Sequence, residues 1–233
     1  MNMYYGYGFD WTYLVFIVPA LLISMWAQFK VSSSFSKYSK VRNMRGLTGA
    51  QTSEYILRSY GVTGVRIEHI SGELTDHYDP TSNVIRLSDA VYNATTVSAI
   101  GVAAHETGHA LQYAQGYAPI KLRAAVIPAS RIGSLASWPL LLIGIIFSMR
   151  PLIWLGIAFF ALATLFQVLT LPVEFNASSR ALKAIDQWNI LSAEEYQGAR
   201  KVLTAAALTY VAALLTSLMQ LLRLILLFGD RRS

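Results

Sequence analysis

Four apolar stretches limit most strongly what this chain can fold into. They cover about residues 11–29, 132–148, 152–171 and 202–228, and together they contain a single charged residue, Arg223. Each approaches the roughly 20 residues that a helix needs to cross a bilayer core. Charged residues make up only 14% of the chain, whereas ordinary soluble domains carry about 25%. We therefore predict a mainly α, integral membrane protein with about four transmembrane helices.

Basic residues near the first apolar stretch predict how the chain is oriented. The ten residues before this stretch include Asp10 and no Lys or Arg. A signal peptide begins with a basic region, so we expect a retained anchor instead. The positive-inside rule then places the N-terminus outside and segments 30–131 and 172–201 in the cytoplasm. This orientation puts Arg231 and Arg232 outside, against the rule. We accept it because the difference in basic residues between the two sides of the first stretch is larger. Five basic residues and no acidic residue follow that stretch: Lys30, Lys37, Lys40, Arg42 and Arg45.

The segment between the first two spans has the patterns of a small α+β lobe. A capping-box pattern opens a predicted helix over about 49–60. Residues 65–70 alternate like a strand, and two short strands flank a turn at 79–83. The serine-rich segment 32–40 is expected to be a polar connector at the membrane surface. The predicted regions are an N-terminal transmembrane anchor (1–29), a cytoplasmic lobe (30–131), a transmembrane hairpin (132–171), a cytoplasmic helical segment (172–201) and a C-terminal transmembrane helix with a tail (202–233).

A metal-binding pattern lies in the helical segment that we expect from about residue 93 onwards. His105-Glu106-Thr107-Gly108-His109 has the form H-E-x-x-H. At 100° per residue the two histidines lie about 40° apart on a helix, one turn from each other, so both can reach one ion. Glu106 flanks that ion, where a general base for a metal-bound water is needed. The chain has no cysteine, so any metal must be held by His, Asp or Glu.

Small residues share the histidine face of this helix. Gly101 and Gly108 both fall within about 60° of His105. Glycine inside a helix costs up to about 1 kcal/mol relative to alanine, so the pair indicates that another backbone approaches closely. We therefore expect a second helix there, carrying a further ligand. The same face also includes Ser98 and Gln112, and a largely apolar stripe lies opposite, formed by Ile100, Ala104, Thr107 and Leu111.

Catalytic zinc usually has three protein ligands, so a third must come from elsewhere in the chain. His69 alternates with apolar residues on a strand, and His77 precedes a turn, so we favour a structural role for each. Glu174 follows Pro172, a residue suited to the first turn of a helix, at the predicted cytoplasmic surface. Spacing alone leaves Glu174 equally well explained as a ligand or as a carboxylate at a helix N-terminus. The full set of candidates is His69, His77, Glu174, Asp186, Glu194 and Glu195.

The order of these motifs resembles a known family. The N-terminal anchor, "DHYDPTSNVIRLS", "AIGVAAHETGHALQ", the membrane hairpin and "LPVEFNASSRAL" together look like the YugP-type bacterial membrane zinc metallopeptidases. More distantly they are similar to the HtpX-type membrane proteases, in which a glutamate on a later helix completes the zinc site. The resemblance implies a zincin-like lobe, one Zn²⁺ per chain, and Glu174 as the third ligand. It also implies a multi-pass protein of the bacterial inner membrane, and the positive-inside rule predicts that the active site faces the cytoplasm.

The resemblance leaves two details open. The HtpX-like pattern has a carboxylate one turn after the ligand glutamate, where this chain has Ser178. Asn176 or Asn93 could supply a supporting hydrogen bond instead. The resemblance also implies that an edge around Asn83 to Leu87 could bind an extended peptide as an added strand. Ordinary hairpin packing explains that segment nearly as well.

We predict an integral membrane zinc endopeptidase. His105, His109 and Glu174 would hold zinc, and Glu106 would act as the general base. An oxyanion helper could be His77, Tyr78 or Arg180. Two alternatives remain, namely a metal-dependent hydrolase of nonpeptide amides or esters, and a membrane assembly or adaptor protein with a structural metal site.

The expected partners follow from this function. They are a protein or peptide substrate, which can itself be a membrane protein, and the lipid bilayer. The net charge of +6 is explained by membrane orientation, and no nucleic-acid motif accompanies it, so we expect no nucleic-acid partner. The sequence does not indicate an oligomeric state.

Overall fold

The computed structural model describes residues 11–229, and its secondary structure is mainly helical. A short π-helix, Tyr13–Ile17, leads directly into the first α-helix. The α-helices are α1 (Val18–Tyr38), α2 (Gly49–Ser59), α3 (Val97–Ala114), α4 (Ala118–Ile146), α5 (Arg150–Gln187) and α6 (Ala193–Gly229). The strands are β1 (Arg66–His69), β2 (His77–Asp79) and β3 (Val84–Leu87).

Four helices are long and apolar enough to cross a membrane, as the apolar stretches predict. They are Tyr13–Tyr38, Ala118–Ile146, Arg150–Gln187 and Ala193–Gly229. Their apolar windows are mostly unburied within the protein. Apolar side chains exposed along a helix of this length are typical of a helix that faces lipid.

Two predictions about these helices are wrong. The serine-rich segment is not a separate connector, because α1 continues through it as far as Tyr38, and Val31, Phe35 and Tyr38 recur along this part of α1 at helical spacing. Pro172 does not open a new helix but lies inside α5. Its ring is exposed, and the missing backbone N–H removes one hydrogen bond without ending the helix here. Glu174 therefore lies within a continuous helix and not at a helix N-terminus.

One compact unit is almost entirely helical. It combines Ile127–Val168 with the described residues of segments 1–26 and 211–233. Its helices approach closely, since a Cβ on Gly133 would lie 2.7 Å from the carbonyl oxygen of Phe159. Close backbone contact at small residues is typical of membrane helix bundles. The core is a buried cluster of Leu141, Ile153, Ile157 and Leu224.

The other compact unit consists of Ala27–Val126 and Leu169–Tyr210, and it contains the sheet. The strand order is β1-β3-β2, with β1 parallel and β2 antiparallel to β3. A small α+β part is thus present as predicted. The predicted free edge at 83–87 is wrong, because β3 is the central strand and pairs with β1 on one side and β2 on the other. The edges of this sheet are β1 and β2.

The helix α3 passes through the core of this second unit. Thr96 caps its N-terminus by accepting a hydrogen bond from the N–H of Ala99. The predicted apolar stripe is buried, and Ile100, Ala104 and Leu111 belong to one core cluster with residues of α2, α5 and α6. α2 begins with the predicted capping box, in which Thr48 and Gln51 exchange both hydrogen bonds. These contacts hold α3 rigidly, and α3 carries the H-E-x-x-H residues.

Candidate metal centre

The structure brings together the three residues that the sequence analysis proposes as metal ligands. His105 and His109 lie one turn apart on α3, and Glu174 projects from α5. The Oε2 atom of Glu174 lies 3.2 Å from His105 Nε2 and 3.4 Å from His109 Nε2. One donor atom from each residue lies within 4.8 Å of the other two. Glu174 is only 3% exposed, and a buried carboxylate needs such partners.

This donor set fits a zinc ion. Zinc is bound by His nitrogen and carboxylate oxygen at about 2.0–2.2 Å, usually in tetrahedral geometry. Two ligand atoms of such a tetrahedron lie about 3.3 Å apart. The two distances from Glu174 Oε2, 3.2 and 3.4 Å, agree with that spacing before any side chain moves. Two neutral imidazoles and one carboxylate are also the ligands of a known type of catalytic zinc site.

A close approach between α3 and α5 delivers the third ligand. A Cβ on Gly108 would lie 2.5 Å from the carbonyl oxygen of Ala177, so only glycine fits there. Ala177 is three residues after Glu174 on the same helix. The glycine on the histidine face thus has the role that the sequence predicts. A Cβ on Gly101 would meet Ala199 of α6 at 3.5 Å, an ordinary contact.

Hydrogen bonds fix the orientation of the His109 ring. The side-chain N–H of Gln112 donates to the backbone carbonyl of Val173 at 2.8 Å, and a carbonyl can only accept. The amide oxygen of Gln112 therefore faces His109 Nδ1, 3.0 Å away, and that nitrogen must carry the proton. In the neutral imidazole the lone pair is therefore on Nε2, which faces Glu174, as a metal ligand requires.

Ser178 supports the other histidine. Its Oγ lies 3.1 Å from His105 Nδ1. The hydroxyl thus stands where the HtpX-like pattern has a carboxylate, and it makes the contact that we considered for Asn176 or Asn93. Asn176 instead accepts a hydrogen bond from Gln112, and Asn93 is exposed. Ser178 was missed as a supporting residue because a serine carries no charge that would mark it in the sequence.

Glu106 lies beside the three donors without joining them. Its Oε2 accepts a hydrogen bond of 3.0 Å from the backbone N–H of Tyr78, on the edge strand β2. Glu106 also lines the same cavity as His105 and Glu174. A carboxylate anchored by one oxygen at the wall of this cavity is well placed to exchange a proton with a molecule inside it.

The charges around the three donor residues favour the binding of a cation. The pKa of the buried His109 imidazole is raised: burial opposes its charged form, but the hydrogen bond to Glu174 and the charges of Glu106 and Glu174 outweigh burial. Arg123 Nη1 lies 3.3 Å from Glu174 Oε1, the oxygen that does not face the histidines. Arg123 thus holds Oε1, while Oε2 of Glu174 faces the two histidines. No local pattern in the sequence marks this arginine, which lies 51 residues before Glu174.

The other candidate ligands lie elsewhere. His69 pairs with Asp89 at 2.6 Å, and His77 Nδ1 contacts the carbonyl of Thr75. Glu195 accepts the backbone N–H groups of Met44 and Ser192. Asp186 and Glu194 are exposed.

The residues considered as oxyanion helpers do not line the cavity. Arg180 bonds to Asn176 and Gln115, and the Tyr78 hydroxyl donates to Asn83. Of the tyrosines in the described residues, Tyr210 of α6 lines the cavity.

Comparison with known proteins identifies the family of this chain. Residues 13–229 match the family described as "Putative neutral zinc metallopeptidase". The chain is 48% identical over 220 residues to "Putative membrane protease YugP" of Bacillus subtilis (strain 168), covering 94% of this chain and 98% of that protein. No solved structure matches the chain. Because the family match spans nearly the whole chain, this protein belongs to the neutral zinc metallopeptidase family, as its motifs predict.

Proposed function

We propose that this protein is an integral membrane zinc endopeptidase that hydrolyses peptide bonds of protein or peptide substrates. The observation that carries the proposal is the convergence of His105, His109 and Glu174. Two of these residues, His105 and Glu174, line one cavity together with Glu106. The cavity has a volume of about 530 Å³, which lies within the usual range of about 300–1,000 Å³ for ligand sites. One Zn²⁺ per chain, held by the three donors, is part of this proposal.

The residues divide the chemistry between them. Bound zinc supplies Lewis-acid chemistry, since it lowers the pKa of water toward about 7 and polarises a carbonyl. Glu106 accepts the proton of the attacking water and delivers it to the leaving amine. The Tyr78 N–H holds one oxygen of Glu106, which leaves the other oxygen for the proton. Ser178 and Gln112 keep the two imidazoles in register with Glu174.

Replacing Glu106 by Gln tests the mechanism. The amide keeps the size of the side chain but cannot accept the proton, so we expect cleavage of a labelled unstructured protein to fall about 10²–10⁴-fold. Zinc content, measured on the purified protein by elemental analysis, should stay at one ion per chain. Glu54→Gln, an exposed carboxylate on α2, is the matched control and should cleave normally. Wild-type cleavage by Glu106→Gln would overturn the mechanism.

Glu106→Gln, together with His105→Ala, also separates the alternatives. A hydrolase of nonpeptide amides or esters would lose activity with Glu106→Gln but cleave a small-molecule panel and no peptide. An adaptor with a structural metal site would keep its function in Glu106→Gln and lose its fold in His105→Ala. A comparison of N-terminal peptides from membranes of cells with wild type and with Glu106→Gln identifies the substrates. We expect them to include membrane proteins.

We further propose that the site faces the cytoplasm of a bacterial inner membrane. The proposal is supported by the basic residues after the first span and by their absence before it. The chain has no cysteine, so single introduced thiols report the side. Met149→Cys, between α4 and α5, should react with an impermeant maleimide on intact spheroplasts, whereas Lys40→Cys should react only after lysis. The reverse pattern would place the site outside.

A further inference from the structure

One wall of the candidate active-site cavity is formed by the helix that the sequence presents as an anchor. The last part of α1 contributes Gln28, Ser32 and Ser36 to this wall, and all three side chains are exposed. The cavity is the same one that His105 and Glu106 line. The serine-rich segment is thus neither a connector nor only an anchor, since it borders the space in which the chemistry takes place.

The spacing of these polar residues matches an extended peptide. Gln28, Ser32 and Ser36 follow each other at intervals of four residues, which is about 6.0 Å along a helix. In an extended chain, every second residue presents its backbone N–H and C=O to the same side, at intervals of about 6.6 Å. One side chain of the helix can therefore meet each such backbone group over a short peptide.

Another part of the cavity wall has a different character. Residues of α6 line it, and apart from Tyr210 their side chains are small or apolar, as at Val202, Ala206 and Ala207. An extended peptide needs hydrogen bonds along its main chain and space for the side chains that it projects. The hydroxyl and amide groups of α1 offer the first, and the small side chains of α6 offer the second.

We propose that Gln28, Ser32 and Ser36 of α1 bind the main chain of the substrate, so that the enzyme takes extended, unstructured segments with little demand on their sequence. This inference rests on the proposed peptidase function. It assigns to α1 a positioning role that neither the metal donors nor Glu106 supply. The ligand class is an extended polypeptide segment, because the proposed function requires a peptide and an extended peptide repeats its backbone polar groups at nearly the interval of these side chains.

A kinetic comparison within the serine segment tests the proposal. In Ser32→Ala/Ser36→Ala, two hydrogen bonds to substrate are lost, so KM for fluorescein-labelled casein should rise about 10-fold with kcat and zinc content unchanged. The matched control is Ser33→Ala/Ser34→Ala, in the same turn of α1 but outside the cavity wall. This control should keep the wild-type KM. Equal KM values for the two double variants would overturn the proposal.

Thiol protection gives a second measurement that needs no turnover. The full-length cysteine-free protein with Glu106→Gln receives one thiol, either Ser36→Cys or Ser33→Cys. Excess casein should slow alkylation of Ser36→Cys by N-ethylmaleimide at least 5-fold and leave Ser33→Cys unchanged. Equal rates with and without casein at Ser36→Cys would overturn the inference. Protection at Ser36→Cys without any cleavage by the wild type would support this inference and contradict the peptidase function instead.

Discussion

The histidine helix α3 contacts α5 and α6 at its two glycines, and the two contacts differ in how closely the backbones approach. At Gly108 the backbone of α5 is so near that a Cβ would lie 2.5 Å from a carbonyl oxygen, whereas at Gly101 it would lie 3.5 Å from a side-chain carbon of α6. The close contact is the one that brings a metal ligand. The difference indicates that the α5 contact is fixed by the site, whereas the α6 contact serves packing.

The largest effect should come from removing the ligand that the close contact delivers. In Glu174→Gln the amide replaces the carboxylate between the two histidines, so we expect zinc affinity to fall at least about 10³-fold and activity with it. Isothermal titration of the metal-free protein measures this directly. Glu194→Gln, an exposed carboxylate on α6, is the control and should bind zinc normally. Unchanged zinc binding in Glu174→Gln would show that Glu174 is not a zinc ligand. The contrast between the α5 and α6 contacts would then have no bearing on the site.

A methyl group at the close contact should have the next largest effect. Gly108→Ala forces the α5 backbone away from α3, at a cost of about 3 kcal/mol in the free energy of unfolding. Glu174 moves with α5, so zinc affinity should fall as well. Thermal unfolding in detergent and zinc titration measure the two effects. If Gly108→Ala keeps wild-type stability and zinc affinity, the α3–α5 contact is less close than the 2.5 Å approach at Gly108 indicates.

The residues that the sequence predicts well are those whose role depends on near neighbours in the chain. The spacing of His105 and His109 follows from one helical turn, and the capping box at Thr48 needs only the next three residues. The glycine at 108 is recognisable because a helix interior otherwise disfavours it. The position of Glu174 needed the family resemblance, since its spacing alone left its role open.

Other features depend on contacts between residues far apart in the chain, which local sequence patterns do not reveal. Pro172 favours a helix start locally, yet α5 continues through it. The strand at Val84 looks like half of a simple hairpin, but β1 also pairs with it and makes it central. Arg123 and Ser178 are isolated polar residues, and only the approach of their helices to α3 reveals their contacts.

A smaller effect should follow when the ligand stays but its support is removed. In Gln112→Met, His109 loses the acceptor at Nδ1 and the Val173 carbonyl loses its donor. Loss of such a support typically lowers metal affinity about 10–100-fold, and we expect a value near 10-fold. Gln115→Met, one turn further along at the end of α3, is the control. If both variants bind zinc like the wild type, the orientation of His109 does not depend on Gln112.

The smallest effect, with the opposite sign, is expected at the looser contact. Gly101→Ala places a methyl group at an ordinary distance from Ala199 and replaces a helix-interior glycine, so it should stabilise the protein by up to about 1 kcal/mol. Zinc affinity should not change, because α6 carries none of the three donors. Thermal unfolding and zinc titration, run beside Gly108→Ala, measure both quantities. A loss of zinc affinity in Gly101→Ala would mean that the two contacts are coupled and that α6, like α5, holds the site in place.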